Sequence, residues 1–303
     1  MSTLRNRTEN ALRNLAGGDP SALFAFERDQ TIGEPMLWRE TIAFERGKLQ
    51  TCRRRRSAVD AGGAPIGVWS CPAEEWRAQA IAKALVDGQF WTLESSAELM
   101  PGQDLVHWSC LTAGGLFEIV VTSGSPLLRA LAPLELELRR LANDLEASAR
   151  GAAVQCSLEL ARGPVPRARL ALTNPGDRPC VIWNPLAGNT TDFDFLRVEV
   201  ANLPPAVEDE SGPGLEFVPV PELPRTSDLP EPWDDPYLLL APRQTLQIPI
   251  ETIVPLLGRD PANPGKGSFL VRGVYSAYGS PEQVGGVPLL NGRAFSNEVQ
   301  VDA

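Results

Sequence analysis

The sequence predicts two domains of different fold class, an α+β domain followed by an all-β sandwich. Three observations carry this. The chain has 303 residues, more than one hydrophobic core usually organises. Seven of its 28 prolines precede residue 151 and 21 follow it, and proline is excluded from helix interiors but tolerated in sandwich loops and edges. Helical spacing of apolar residues occurs only before that point, whereas short alternating or apolar runs fill the sequence after it. The expected organisation is a flexible N-terminal segment over 1–18, an α+β domain over 19–150 with a small antiparallel sheet and two helices, and a β-sandwich domain over 151–303.

In the first half, SALFAFERD and PMLWRETIAFERGKLQTC read as strands. CPAEEWRAQAIAKALVDG follows as a helix: Pro72 suits a first helical position, Glu74 and Glu75 suit the first turn, and Gly88 terminates it. Trp76, Ala80, Ile81, Ala84 and Leu85 repeat at helical spacing and form its expected buried face. DLVHWSCL alternates, with Val106, Trp108 and Cys110 on one face and His107 on the other. GLFEIVVTS supplies its hairpin partner after a glycine turn. PLELELRRLANDLEAS begins with Pro133 and carries Leu134, Leu138, Leu141 and Leu145 at spacings of four, three and four, a core-facing stripe too short for a coiled coil.

The second half has no helical pattern. VQCSLEL, ARLALTN, CVIWNP, FDFLRVEV, LEFVPV, YLLLAP, TLQIPIETI, SFLVRGVYSAY and NEVQVDA are short runs separated by turn signals such as NPGD and NPGKG. This spacing predicts an antiparallel sandwich of the immunoglobulin-like class, without the antibody-type cysteine bridge.

Composition narrows the chemistry. The net charge is −10. It divides into 17 basic and 19 acidic side chains before residue 151 (−2) and 11 and 19 after it (−8). The acidic second half disfavours nucleic acid as a partner. There is no apolar run of 18 residues and no secretory-signal pattern at the start, so a cytoplasmic protein without a membrane partner is expected. Five cysteines are scattered singly, without CxxC spacing, and His107 is the only histidine. Reduced structural thiols and no metal or other cofactor are expected.

Several motifs invite a functional reading. In TTDFDFLRVEV, Asp192 and Asp194 stand two apart and point away from Phe193 and Phe195. That is the pattern of a solvated edge, and a calcium site would need further converging oxygens. The parity change at Phe195-Leu196 requires a bulge or bend there. TCRRRRSA, with Arg54 and Arg55 at its centre, is a solvated edge strand or hairpin tip, a grip for phosphate or nucleic acid, or a patch for an acidic protein partner. A hydrolase would have to use His107, and its neighbour Cys110 falls on the opposite face of the strand, so the expectation is not an enzyme. The proline-rich stretch VPVPELPRTSDLPEPWDDPY is either a loop lying over the sandwich or an extended recognition loop. In the second case Leu223, Arg225 and Leu229 are exposed contacts and Trp233 anchors the loop.

The segments LALTNPGDRPCVIW, DFDFLRVEV, LLLAPRQTLQIPI and GSFLVRGVYSAY together resemble the BsuPI-type intracellular proteinase inhibitors, a bacterial family with an immunoglobulin-like sandwich. Arg243 stands where that family usually has the glycine of a Pro-Gly turn, and the stretch from Leu203 to Asp235 is a long proline-rich insertion. The order of elements in the first half resembles the emfourin-type inhibitors of thermolysin-like proteases. The resemblance implies a non-catalytic binding protein whose partner is a metalloprotease or serine protease. The other expectations weighed are a structural or assembly component of a larger complex and a His107-dependent hydrolase. Neither resemblance assigns a contact residue, and the sequence does not set the oligomeric state.

Overall fold

A computed structural model of the chain describes residues 3–19, 22–32, 38–54, 63–95, 105–122, 125–161, 167–185, 196–202, 218–219, 236–250, 268–277 and 283–302. The fold is rich in β-structure, with four α-helices and antiparallel sheets. No described helix is long and apolar enough to cross a membrane. The chain divides into two compact units, Met1–Arg55 with Val68–Gly151, and Arg56–Gly67 with Ala152–Ala303. Within the second unit Gly63 N donates to Phe295 O at 3.2 Å, a bond between residues too distant in sequence to be read from it.

In the first unit, helix α1 spans Leu4–Ala16, where a flexible segment over 1–18 was expected. Thr3 caps it, its hydroxyl accepting from Asn6 N at 3.4 Å, and Gly17 N closes the last turn on Arg13 O at 2.9 Å. Thr8, Leu12 and Leu15 fall at spacings of four and three and are fully buried. One member of that stripe is a threonine, so the apolar period is too weak to see in LRNRTENALRNLA.

Strands β1 (Phe24–Ile32), β2 (Trp38–Glu45), β3 (Leu49–Arg54) and β4 (Ile66–Pro72) follow, then β5 (Leu105–Thr112) and β6 (Gly115–Thr122). Strands β2 and β3 form a hairpin: Lys48 N bonds back to Glu45 O and Gly47 takes φ 72°. The sheet runs β4-β3-β2-β1-β5-β6. Gly151 is required beside it, since a Cβ there would overlap Val68 O and lie 2.8 Å from Trp69 Cα.

Helix α2 is Glu75–Asp87, followed by a short α3 (Leu127–Ala130) and α4 (Ala132–Ala147). Pro72 lies in β4 and does not start α2. The buried face of α2 is Arg77, Ala78, Ile81, Ala82, Ala84 and Leu85. Trp76, expected on that face, is 54 % exposed and stacks under the Arg77 guanidinium at 4.3 Å. Arg77 takes the inward position instead, and its Nη2 donates to Asp144 Oδ2 of α4 at 2.6 Å. In α4 the buried set is Leu134, Leu138, Leu141, Ala142 and Leu145, the predicted leucine stripe.

The second unit contains β7 (Gly151–Ala161, from Ala152 on), β8 (Arg167–Thr173), β9 (Cys180–Trp183), β10 (Leu196–Asn202), β11 (Val218–Pro219), β12 (Tyr237–Leu240), β13 (Thr245–Ile250), β14 (Ser268–Ala277), β15 (Gln283–Val284), β16 (Val287–Pro288) and β17 (Gly292–Asp302). One array runs β13-β8-β7, a second β11-β10-β14-β17, and β9-β12 and β15-β16 form two-stranded pairs. At Gly273 of β14 a Cβ would overlap Leu170 Cδ2 of β8 and lie 3.5 Å from Cys156 Sγ of β7, so the glycine permits a close approach there. The bulge in this unit lies between Arg272 and Val274, where the β14–β17 register shifts.

Asn174 organises the NPGD turn. Its Oδ1 accepts from Gly176 N at 3.0 Å and Ala153 N at 3.4 Å, and its Nδ2 donates to Arg178 O and Leu240 O. Its backbone N–H and C=O bond Gln244 O and Arg243 N at 2.9 Å each. Two turns far apart in sequence are thereby clasped around one buried amide. The turn residue after Pro242 is Arg243, at φ +63°.

Candidate functional site

The open face of the first unit's sheet carries polar and charged side chains from five strands. Alternation along each strand sends one set of side chains inward and the other to solvent. Phe24, Phe26, Ile42, Phe44, Cys52, Val106, Trp108 and Cys110 are buried. Their neighbours in sequence form the opposite face, on which no described side chain is buried.

Register aligns this face in rows across five strands. One row is Val120, His107, Asp29, Thr41 and Arg53, from β6 through β5, β1 and β2 to β3. The next is Glu118, Ser109, Glu27, Ala43 and Thr51, and the third is Leu116, Leu111, Ala25 and Glu45. His107 Nε2 lies 3.3 Å from Glu118 Oε1, and Thr41 Oγ1 donates to Asp29 Oδ1 at 3.4 Å. Leu111 and Leu116, opposite one another, are 39 % and 48 % exposed. The outcome is a surface with an apolar corner and a charged middle in which carboxylates outnumber cations.

The imidazole is aligned with carboxylates on an open sheet surface. Cys110 lies on the opposite face, where burial pushes its thiol up to about 12, and Cys52 is pushed up to about 12 by burial and then by the Glu40 carboxylate. A thiol nucleophile needs its thiolate, so neither can serve His107. No group of three ligating side chains able to hold a metal occurs among the described residues.

Arg54, expected as an exposed partner contact, turns into the molecule. Its Nε meets Glu40 Oε1 at 3.1 Å and its Nη1 meets Glu146 Oε2 of α4 at 2.6 Å. Arg28 does the same nearby, reaching Glu135 at 2.9 Å, Glu40 at 3.0 Å and the amide of Gln30. Buried guanidiniums require such partners, and these fasten α4 to the strands. Arg55, Leu223, Arg225, Leu229 and Trp233 lie outside the described residues, as do Asp192, Asp194 and the bend expected at Phe195.

A second charged cluster went unseen in the sequence. In the second unit Glu199 Oε2 accepts from Arg272 Nε at 2.9 Å and Nη2 at 2.7 Å, while Oε1 accepts from Arg293 Nη2 at 2.8 Å. Both guanidiniums stand over the Phe295 ring, at 4.6 and 5.0 Å from its centroid. Single charges interrupt the apolar runs FLRVEV and FLVRGV, but His107 and Glu118, likewise flanked by buried residues, stay on the solvent side, so the interruption alone does not mark a buried pair. No protein-family model matches the chain, and no protein of curated function matches it.

Proposed function

We propose that the chain is a non-catalytic cytoplasmic protein-binding protein of two domains, and most specifically an inhibitor of a metalloprotease or serine protease. The observation that carries the binding reading is the five-stranded solvent face of the first unit, with Leu111 and Leu116 at its corner and Glu27, Asp29, Glu45 and Glu118 spread across it. A hydrogen-bonded sheet face in continuous register presents side chains whose backbone ordering cost was met in folding, which is what a rigid inhibitory surface needs. Its excess of carboxylates suits a basic partner surface.

The inhibitor reading draws further support from the second unit. We infer an immunoglobulin-like sandwich from the arrays β13-β8-β7 and β11-β10-β14-β17 and the close approach of β14 to β8 at Gly273. The segments that resemble BsuPI-type inhibitors include the Asn174 turn and β14. Fold transfers more readily than function, so the test is biochemical. Purified protein titrated into thermolysin-like and subtilisin-like proteases with a fluorogenic substrate should give stoichiometric inhibition of one class. A Leu111→Glu/Leu116→Glu double variant of unchanged stability should lose it. If neither class is inhibited, the inhibitor reading falls. If the double variant inhibits as well as the parent, the surface assigned here is wrong.

A further inference from the structure

We propose that Cys71 is a modification site, a thiol that hydroperoxides oxidise to the sulfenic acid, with the carboxamide of Gln50 receiving the new S–O–H group. Four of the five thiols, Cys52, Cys110, Cys156 and Cys180, are buried, and only Cys71 keeps partial contact with solvent. Cys71 is in β4 and Gln50 in the neighbouring strand β3. Gln50 is 3 % exposed, an unusual degree of burial for an amide, and its Nε2 lies 2.9 Å from Cys71 Sγ. Its Oε1 is buried without a hydrogen-bond partner. A polar atom enclosed in this way is costly unless something occupies it.

The two halves of the amide suit the two states of the sulfur. In the reduced state the amide N–H donates to the sulfur, and the thiolate is the form that reacts. The thiolate attacks one oxygen of the hydroperoxide, an S–O bond forms, the O–O bond breaks, and hydroxide or alkoxide leaves with the electron pair. Sulfur loses two electrons and the peroxide gains two. After protonation the sulfenic acid carries an O–H donor beside a carbonyl oxygen that had none. Oxidation therefore supplies the missing partner of Gln50 Oε1, whereas the other four thiols lie where neither peroxide nor the product oxygen has access.

The test uses the full chain, reduced and then exposed to hydrogen peroxide at low molar excess with dimedone present, followed by peptide mapping. The expected result is one adduct per chain, on Cys71, with the other four thiols unlabelled until the protein is unfolded in urea. Cys71→Ser should abolish labelling of the native protein. Gln50→Met, of similar volume and without the amide, should slow adduct formation at least threefold. Labelling of a different cysteine in the native protein, or of none while the urea control labels all five, overturns the site. An unchanged rate in Gln50→Met overturns the role of the amide. The map of the unsubstituted protein decides the first point even if a variant fails to fold.

Discussion

Arg243 sits at φ +63° in the turn that follows Pro242, where an L-residue other than glycine costs about 1–2 kcal/mol. Glycine relieves that cost but loses more freedom on folding, by roughly 0.5–1 kcal/mol. Arg243→Gly is therefore expected to stabilise the protein by about 0.5–1 kcal/mol, read as a higher urea midpoint at unchanged slope; a lower midpoint would refute the strain. Glu199 works in the opposite direction. It is the shared acceptor of Arg272 and Arg293, so Glu199→Gln removes the carboxylate that joins them, leaves Arg272 the longer pairing with Glu298 at 3.6 Å, and should cost about 3 kcal/mol. Denaturation of that variant should begin in the second unit, followed by the Tyr275 and Trp183 signals. At this scale the sequence was legible where local geometry decides. Alternation alone placed His107 opposite Trp108 and Cys110, and a Pro-Gly pattern marked Arg243 as out of place. It failed for Arg54, because a run of like charges carries no information about carboxylates 14 and 92 residues away.

Elements were legible in proportion to the purity of their apolar stripe. The four leucines of α4 left no ambiguity, whereas α2 offered two overlapping faces, and the ion pair of Arg77 with Asp144 chose the one that leaves Trp76 outside. Helix α1 was missed because one of the three members of its buried stripe is Thr8. It is nonetheless part of the fold: Leu12 and Leu15 are 0 % and 1 % exposed. Leu12→Ala should cost about 2–5 kcal/mol. A chain lacking residues 1–17 should be cleaved by a nonspecific protease within the first unit far faster than the intact chain. Equal cleavage rates would return the segment to the status of a flexible tail. The open sheet face was not legible as a face, since it exists only through the register of five strands, and register between β1 and β5 joins residues some 80 apart in sequence.

The whole molecule carries its buried thiols in a balanced way, two in each compact unit: Cys52 and Cys110 in the first, Cys156 and Cys180 in the second. Each is pushed up from 9.0 to about 12, by burial first in every case. The unfolded chain releases these protons near pH 9 while the folded chain retains them to about pH 12. The stability they support is therefore complete below about pH 9 and is lost as pH rises through the interval up to 12. The unfolded state binds fewer protons there, so the slope of unfolding free energy against pH is negative, about 1.4 kcal/mol per pH unit for each thiol. Two thiols give each unit a slope of about 3 kcal/mol per pH unit. The Tyr275 phenol, raised by burial, adds to the fall in the second unit at higher pH. Urea midpoints measured from pH 7 to 11 under reducing conditions should stay level to about pH 8.5 and then drop steeply in both units. Cys110→Ala should flatten the decline of the first unit and Cys156→Ala that of the second, each by one proton, whatever either substitution does to stability at pH 7. If the slopes above pH 9 match those of the unsubstituted protein, the buried thiols are not what makes the fold alkali-sensitive.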